Sequence, residues 1–209
     1  MIDLLIADDH PVVRQGLRSI VAECPEIAVV AEVGTGDELL ERLTSTPADV
    51  VLLDISMPGP SFLDVLRELK DHHSRVRVVV LSIHPEKQYA IRAFKAGAAG
   101  YLTKERSPAE LVEAIIKVYG GGKYVSPSLA QRLADELGNG FRLAPHDRLS
   151  DREYVVLRLL GAGHSVKAIA QQLRLSPKTV STHRTRILQK MNLETNADLI
   201  RYAQLHGLT

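Results

Sequence analysis

Acidic side chains close two apolar runs in this chain: the Asp8-Asp9 pair follows Leu4-Leu5-Ile6-Ala7, and Asp54 follows Val50-Val51-Leu52-Leu53. Both runs have the form of strands buried on both faces of a parallel sheet. Both end in chain breakers, His10-Pro11 and Met57-Pro58-Gly59. Val76 to Leu81 runs into Ser82 in the same way, and Tyr101-Leu102-Thr103 into Lys104. The carboxyl ends of parallel strands share one edge, where open α/β sheets bind ligands. Three carboxylates gathered there repel one another and raise their pKa values unless a cation joins them. Oxygen donors of this kind suit Mg²⁺, which keeps waters and shares phosphate oxygens. A lysine and a hydroxyl opposite the metal are what a transferred phosphoryl group needs. The set therefore points to phosphoryl transfer onto a carboxylate. A lone aspartate after a strand can equally cap a turn, and it is the convergence of four strand ends that favours chemistry.

Elements must be arranged to bring those ends together. Strands are expected at 3–7, 27–33, 50–54, 76–82 and 101–103. Helices are expected from Pro11, after Gly34-Thr35-Gly36, over Phe62–Leu69, around Tyr89–Ala96, and from Ser107-Pro108-Ala109-Glu110, with Ser107 as N-cap and Pro108 at the first helical position. Strands alternating with helices make parallel βαβ units in one sheet. His10 follows the acid pair and is expected to cap or pack near the first helix rather than bind metal. His84, two residues past Ser82, is a solvated loop residue or a neighbour of the phosphoryl site.

Length and composition bound the rest. The 209 residues suffice for two small domains, and 45% hydrophobic with 24% charged residues is an ordinary globular balance. One cysteine, Cys24, excludes an internal disulfide framework and a Cys-rich metal site. No uncharged apolar run spans a membrane and no basic leader begins the chain, so a cytoplasmic protein is expected. Residues 1–122 carry 13 basic against 18 acidic side chains, net −5, whereas residues 145–209 carry 10 against 5, net +5. Such asymmetry suits two jobs, the second on a polyanion. Between the halves, Ser126-Pro127-Ser128 opens a short amphipathic helix with Leu129, Leu133 and Leu137. Gly138-Asn139-Gly140 and Ala144-Pro145-His146-Asp147 then form a tether. The expected domains are 1–122, a linker 123–147, and 148–209.

The basic half reads as four helices. Ser150-Asp151-Arg152-Glu153 is a capping box, Ser165 caps a short second helix, Ser176-Pro177 starts a third that runs to Met191, and Thr195 caps a fourth. A short helix closely followed by a longer one suggests a helix-turn-helix. On the third helix Val180, Ile187, Leu188 and Met191 form one apolar stripe, and His183 is expected to be half-buried and satisfied. The opposite side presents Lys178, Ser181, Thr182, Thr185 and Gln189, flanked by Arg184, Arg186 and Lys190, and residues 176–191 contain no acid. Hydroxyls and an amide rimmed by cations suit a DNA groove better than bare solvent.

Asp8-Asp9, Asp54 with Met57-Pro58-Gly59, Ser82, Tyr101 and Lys104 together resemble the receiver domain of two-component response regulators, over roughly residues 1–120. Residues 149–205 resemble the LuxR-type helix-turn-helix of the NarL/FixJ response regulators, through Leu149-Ser150-Asp151-Arg152-Glu153, Ile169-Ala170 and Ser176 to His183. The resemblance implies a five-stranded, parallel, doubly wound flavodoxin-like domain followed by an all-α four-helix domain. It implies that Asp54 accepts a phosphoryl group from a phosphohistidine on a sensor histidine kinase. Asp9 and Asp54, with the backbone carbonyl of Ser56, would hold Mg²⁺, with Asp8 acting through water. Lys104 would pair with the phosphate, and Ser82 would bond a phosphate oxygen and let Tyr101 swing inward. Ser181, Thr182 and Thr185 would face bases of double-stranded DNA. Lys178, Thr179, Arg184, Arg186 and Lys190 would hold its phosphates, with a homodimer on the site. Many relatives have a glycine where this chain has Phe62, which bears on the loop over the metal. The implied function is a phosphorylation-controlled transcriptional regulator, not a dedicated enzyme. The rival readings are a Mg²⁺-dependent aspartyl-phosphate phosphohydrolase with a helical cap, and a DNA-binding regulator independent of phosphorylation.

Overall fold

The structure, a computed structural model, describes residues 1–83, 86–127, 129–131, 144–173 and 175–208. The chain divides into two compact units, Met1–Ala134 and Asp135–Thr209. His84, Leu133, Leu137 and residues 138–143 of the expected tether lie outside the described residues.

The first unit is a five-stranded parallel sheet in the order β2-β1-β3-β4-β5. Its strands are β1 (Ile2–Ala7), β2 (Ile27–Val33), β3 (Val50–Asp54), β4 (Arg77–Ser82) and β5 (Gly100–Thr103). The helices between and after them are α1 (Pro11–Ala22), α2 (Gly36–Ser45), α3 (Phe62–His72), α4 (Glu86–Ala96) and α5 (Pro108–Tyr119). β3 is buried along its whole length, as an unbroken apolar run requires in a sheet covered on both faces. Alternate strand residues supply the two faces: Leu4, Ile6, Leu52, Val79 and Leu81 pack with Leu17 and Val21 of α1 and Leu111, Ile115 and Val118 of α5. Leu39, Leu63, Leu66 and Leu69 are buried on α2 and α3. Hydroxyl N-caps start three helices: Thr35, Ser61 and Ser107 accept from the amides of Glu38, Asp64 and Glu110.

Residues 123–127 are not free linker. The Tyr124 amide donates to Ala99 O at 2.9 Å, and Tyr124 forms a parallel bridge to Gly100 on the open edge of β5. The bond is to an edge strand's unpaired carbonyl, a partner no local sequence pattern names. Residues 127 and 129–131 are helical, with Leu129 buried.

In the second unit a 3₁₀ turn, Pro145–Arg148, precedes α6 (Asp151–Gly161), α7 (Val166–Gln172), α8 (Pro177–Met191) and α9 (Asn196–Leu205). All four helices carry side-chain N-caps, from Ser150, Ser165, Ser176 and Thr195, and Ser150 and Thr195 form reciprocal boxes with Glu153 and Asp198. Pro145 to Asp147, expected to end the tether, form that turn; Nδ1 of His146 lies 2.8 Å from the Tyr202 hydroxyl of α9.

Candidate functional site

Four strand ends meet at one edge of the sheet. β1 pairs with β3 and β3 with β4, with Ala7 opposite Leu53 and Asp54 opposite Leu81, so Asp8 and Ser82 flank Asp54. The Lys104 amide donates to Ser82 O at 2.8 Å, which carries the end of β5 to the same place. Asp8, Asp54 and Ser82 are 0%, 2% and 0% exposed.

Lysine 104 joins two of the acids. Its Nζ donates to Asp8 Oδ2 at 2.6 Å and lies 3.2 Å from Asp54 Oδ1. Burial pushes the Asp54 carboxyl above its ordinary value; Lys104 opposes that and the Asp8 and Asp9 charges reinforce it. Asp8 is fixed further: its Oδ1 accepts from the His10 amide at 2.9 Å, and its carbonyl accepts from Arg14 Nη1 at 2.6 Å. Two shielded carboxylate oxygens, Asp9 Oδ1 and Asp54 Oδ2, accept no hydrogen bond among the described residues, although Asp9 Oδ1 has the His10 ring beside it.

Those two oxygens are a test of metal fit. One donor atom each from Asp8, Asp9, His10 and Asp54 can be chosen so that all lie within 4.8 Å of one another. A hard divalent cation satisfies orphan carboxylate oxygens and relieves their repulsion, so the residues present fit Mg²⁺. His10 is the N-cap residue of α1, but its side chain makes no capping bond. Instead Nδ1 lies 2.7 Å from Asp9 Oδ1, with the ring 64% exposed. His10 thus stands at the cap position near the first helix, as expected, through its backbone, while its ring lies beside the Asp9 carboxylate.

The loop from Ile55 to Ser61 is held from outside the site. The Gly36 amide donates to Pro58 O at 3.2 Å. Gly59 adopts φ +101°, and a Cβ there would meet Asp37 Oδ2 at 2.9 Å, so this turn needs glycine. Ser56, whose carbonyl was assigned to the metal, is an exposed bend residue in that loop. Phe62, where many relatives have glycine, is buried and meets Tyr89 of α4 edge-to-face at 5.6 Å between centroids. Tyr101 is 0% exposed, with its ring inside the receiver unit.

The second unit presents α8. Val180, Ile187 and Met191 are buried and Leu188 is half-buried, while Lys178, Thr179, Thr182, Thr185, Arg186 and Gln189 are exposed. Ser181 is half-buried beside them. The Thr182 and Thr185 hydroxyls donate to Lys178 O and Ser181 O at 3.0 and 3.1 Å, which leaves outward lone pairs and methyls. Thr179 is tied into the cap, with Oγ1 2.8 Å from Ser176 Oγ. Two expected phosphate contacts differ. Lys190 Nζ donates to Glu153 Oε2 at 2.7 Å, and Arg184 is half-buried with its Nε enclosed and without a hydrogen-bond partner. His183 is half-buried as expected, but among the described residues its Nδ1 has no hydrogen-bond partner, and burial lowers its pKa. Sequence reasoning missed Glu153 as the anchor of Lys190, because only its N3 capping role has a local signature.

Among the described residues no helix is long and apolar enough to cross a membrane. Two family models match: the response regulator receiver domain over residues 4–116, and the bacterial regulatory proteins of the luxR family over residues 147–203. The chain is 36% identical over 209 residues to the response regulator UvrY of Escherichia coli K12, covering all of this chain and 96% of that protein. Its fold is similar to that of RcsB from Salmonella enterica serovar Typhimurium bound to promoter rprA with the phosphomimetic BeF₃⁻. That likeness has a TM-score of 0.68 and 26% identity, and covers 96% of this chain and 97% of that one. It is similar also to a structure of two RcsB dimers bound to two parallel DNAs, with a TM-score of 0.61 and 27% identity, covering 97% and 98% of the two chains.

Proposed function

This chain belongs to the NarL/FixJ response regulators, phosphorylation-controlled DNA-binding regulators of two-component systems, and on that premise we propose how its own residues divide the work. Asp54 takes the phosphoryl group. A carboxylate oxygen attacks phosphorus of a phosphohistidine on a sensor histidine kinase; the new O–P bond forms as the N–P bond breaks, and the freed imidazole nitrogen takes up a proton. Asp9, Asp54 and the Ser56 carbonyl would hold Mg²⁺, with Asp8 acting through water. When bound, that ion neutralises charge on the phosphoryl oxygens. Lys104 transfers part of its pairing from the two aspartates to a phosphoryl oxygen, and Ser82 donates to another. Buried Asp8 keeps Lys104 at hand in both states. The chemistry modifies the chain once per signal, which makes it a receiver and not a dedicated enzyme.

The DNA surface is the exposed face of α8. Lys178 and Arg186 hold phosphates, helped by Thr179 at the capped amino end. Ser181, Thr182 and Thr185 meet bases through methyls and hydroxyl lone pairs. A homodimer on the site is supported by the RcsB dimers seen on DNA, and a cytoplasmic location suits a partner of kinase and DNA.

The observation that carries this reading is the Lys104 ammonium, 2.6 Å from Asp8 and 3.2 Å from Asp54. The test is a gel-shift titration of DNA selected from a random pool, with and without acetyl phosphate. A donor-dependent gain in affinity that disappears in Asp54→Asn is expected. An equal gain in that variant would remove Asp54 from the assignment.

A further inference from the structure

The chain leaving α5 is fastened to the receiver unit by contacts that lead back to the phosphoryl site. Lys123 Nζ donates to Ala98 O at 3.2 Å and stands 5.3 Å over the Phe94 ring. The Tyr124 amide bonds Ala99 O on the edge of β5. Two residues later the Ser126 hydroxyl, in a residue 4% exposed, donates to Glu86 Oε2. Ser126 is also the cap of the helix that follows, with its Oγ accepting from the Leu129 amide at 3.2 Å and its carbonyl from the Ala130 amide at 2.9 Å. Glu86 begins α4, and its other oxygen, Oε1, lies 3.5 Å from Arg106 Nη2. Arg106 Nη1 also donates to Glu110 Oε2 at 3.2 Å.

Both partners of this cluster stand just beyond a phosphate-binding candidate. Glu86 is four residues after Ser82, and Arg106 is two residues after Lys104. The two strand ends are coupled at that level, because the Lys104 amide donates to Ser82 O, and a local turn bond from the Arg106 amide to Thr103 O at 3.1 Å fixes Arg106 to the end of β5. We propose that Glu86, Arg106 and Ser126 form a latch that holds the head of the interdomain segment, residues 123–131, on the receiver unit, and that phosphorylation opens it. The proposal rests on the reading of Asp54 as acceptor with Ser82 and Lys104 on the phosphoryl group.

The device works because one carboxylate serves two partners. Drawing Ser82 and Lys104 toward a phosphoryl group moves the start of α4 and the Thr103–Arg106 turn. Hydrogen bonds weaken steeply with angle and distance, so small shifts there break the Glu86–Ser126 bond rather than stretch it. Without it the capped start of the segment loses this tie to α4, while the Tyr124 edge bond, the Tyr124 packing on the core and the Lys123 contacts remain.

Hydrogen exchange on the full chain tests this, read at the Tyr124 amide and across residues 123–131, with and without BeF₃⁻ and Mg²⁺. Wild type is expected to exchange about tenfold faster at these amides when BeF₃⁻ is added, the scale of one lost hydrogen bond. Ser126→Ala and, separately, Glu86→Gln are expected to exchange at that faster rate without BeF₃⁻ and to respond little to it. Their rate of labelling by acetyl phosphate should stay within about twofold of wild type, since neither touches Asp54. Wild-type exchange rates in both variants without BeF₃⁻ would overturn the latch. So would a full BeF₃⁻ response in both. The comparison without BeF₃⁻ involves no phosphoryl chemistry, so the latch stands or falls on it even if Asp54 fails to label, which would count against the acceptor assignment alone.

Discussion

Lys190 and Glu153, 37 residues apart, form an ion pair across the helical unit: Nζ donates to Oε2 at 2.7 Å, and the glutamate side chain is 3% exposed. Burial pushes the Glu153 carboxyl up, but the bonds from Lys190 and from the Ser150 amide and hydroxyl outweigh it and hold the pKa below the ordinary value. A cation on the polar side of the recognition helix thus fastens α8 to α6.

Lys190→Ala should therefore destabilise the helical unit by about 1–2 kcal/mol, less than a fully buried pair because the ammonium is half exposed. The pair's contribution should show a pH signature. Since the folded pKa of Glu153 is depressed, the stabilisation is complete above about 4.5, the ordinary value, and is lost as pH falls through the folded one. Exchange of the 151–191 amides, followed from pH 7 down to 3 in both proteins, should converge at the acid end. Parallel curves would show that the pair contributes nothing.

On DNA, removing one phosphate contact should shallow the log-affinity versus log-salt slope by about 0.9. Arg186→Ala and Lys178→Ala are expected to do so on selected and scrambled DNA alike. Thr182→Ala and Thr185→Ala should leave the slope unchanged and shift base preference by about 1–3 kcal/mol per lost contact. Lys190→Ala, assayed well below its melting temperature, should keep the wild-type slope. A slope change in Lys190→Ala equal to that in Arg186→Ala would put the lysine on DNA.

Asp54→Asn should take no label from acetyl phosphate, because only a carboxylate can attack phosphorus. It should also melt higher. The Asp54 pKa is raised by burial, so near neutral pH the folded chain carries a charge it disfavours, and Lys104 keeps Asp8 as partner when that charge goes. A gain of about 1 kcal/mol corresponds to roughly 2–4 °C in Tm for a chain of this size. Acid-labile label on the variant, or a lower Tm, would count against this account.

Asp9→Ala should keep the fold and the acceptor yet lose Mg²⁺ binding, because one carboxylate of the acidic cluster is gone. Isothermal calorimetry of Mg²⁺ into each protein reads this directly. An unchanged titration would take Asp9 out of the metal site.

Much of this molecule is visible before any coordinates. Apolar runs ending in Asp8, Asp54, Ser82 and Lys104 announce parallel strands, because a strand buried on both faces has no polar period to hide in, and hydroxyl caps at Ser107, Ser150, Ser165, Ser176 and Thr195 place helix starts within a residue. These signals are local: burial periodicity and capping are set by neighbours within a few positions. The convergence of the site residues is nearly as legible, since parallel βαβ order forces strand ends to one edge. What tertiary structure alone decided is pairwise and distant. Lys190 has the helix-wheel signature of a phosphate contact, and only the tertiary fold brings Glu153 within 2.7 Å of it. Ser126 reads as the start of a short helix in the linker, and only the fold brings Glu86, 40 positions earlier, against it. Tyr101 is an aromatic strand residue whose inward position depends on what surrounds it, and β5 acquires a bridge from Tyr124 because an edge strand accepts any backbone that reaches it. In each case the deciding energy is the desolvation of a buried polar or aromatic group, and that depends on which distant side chain comes to cover or pair with it.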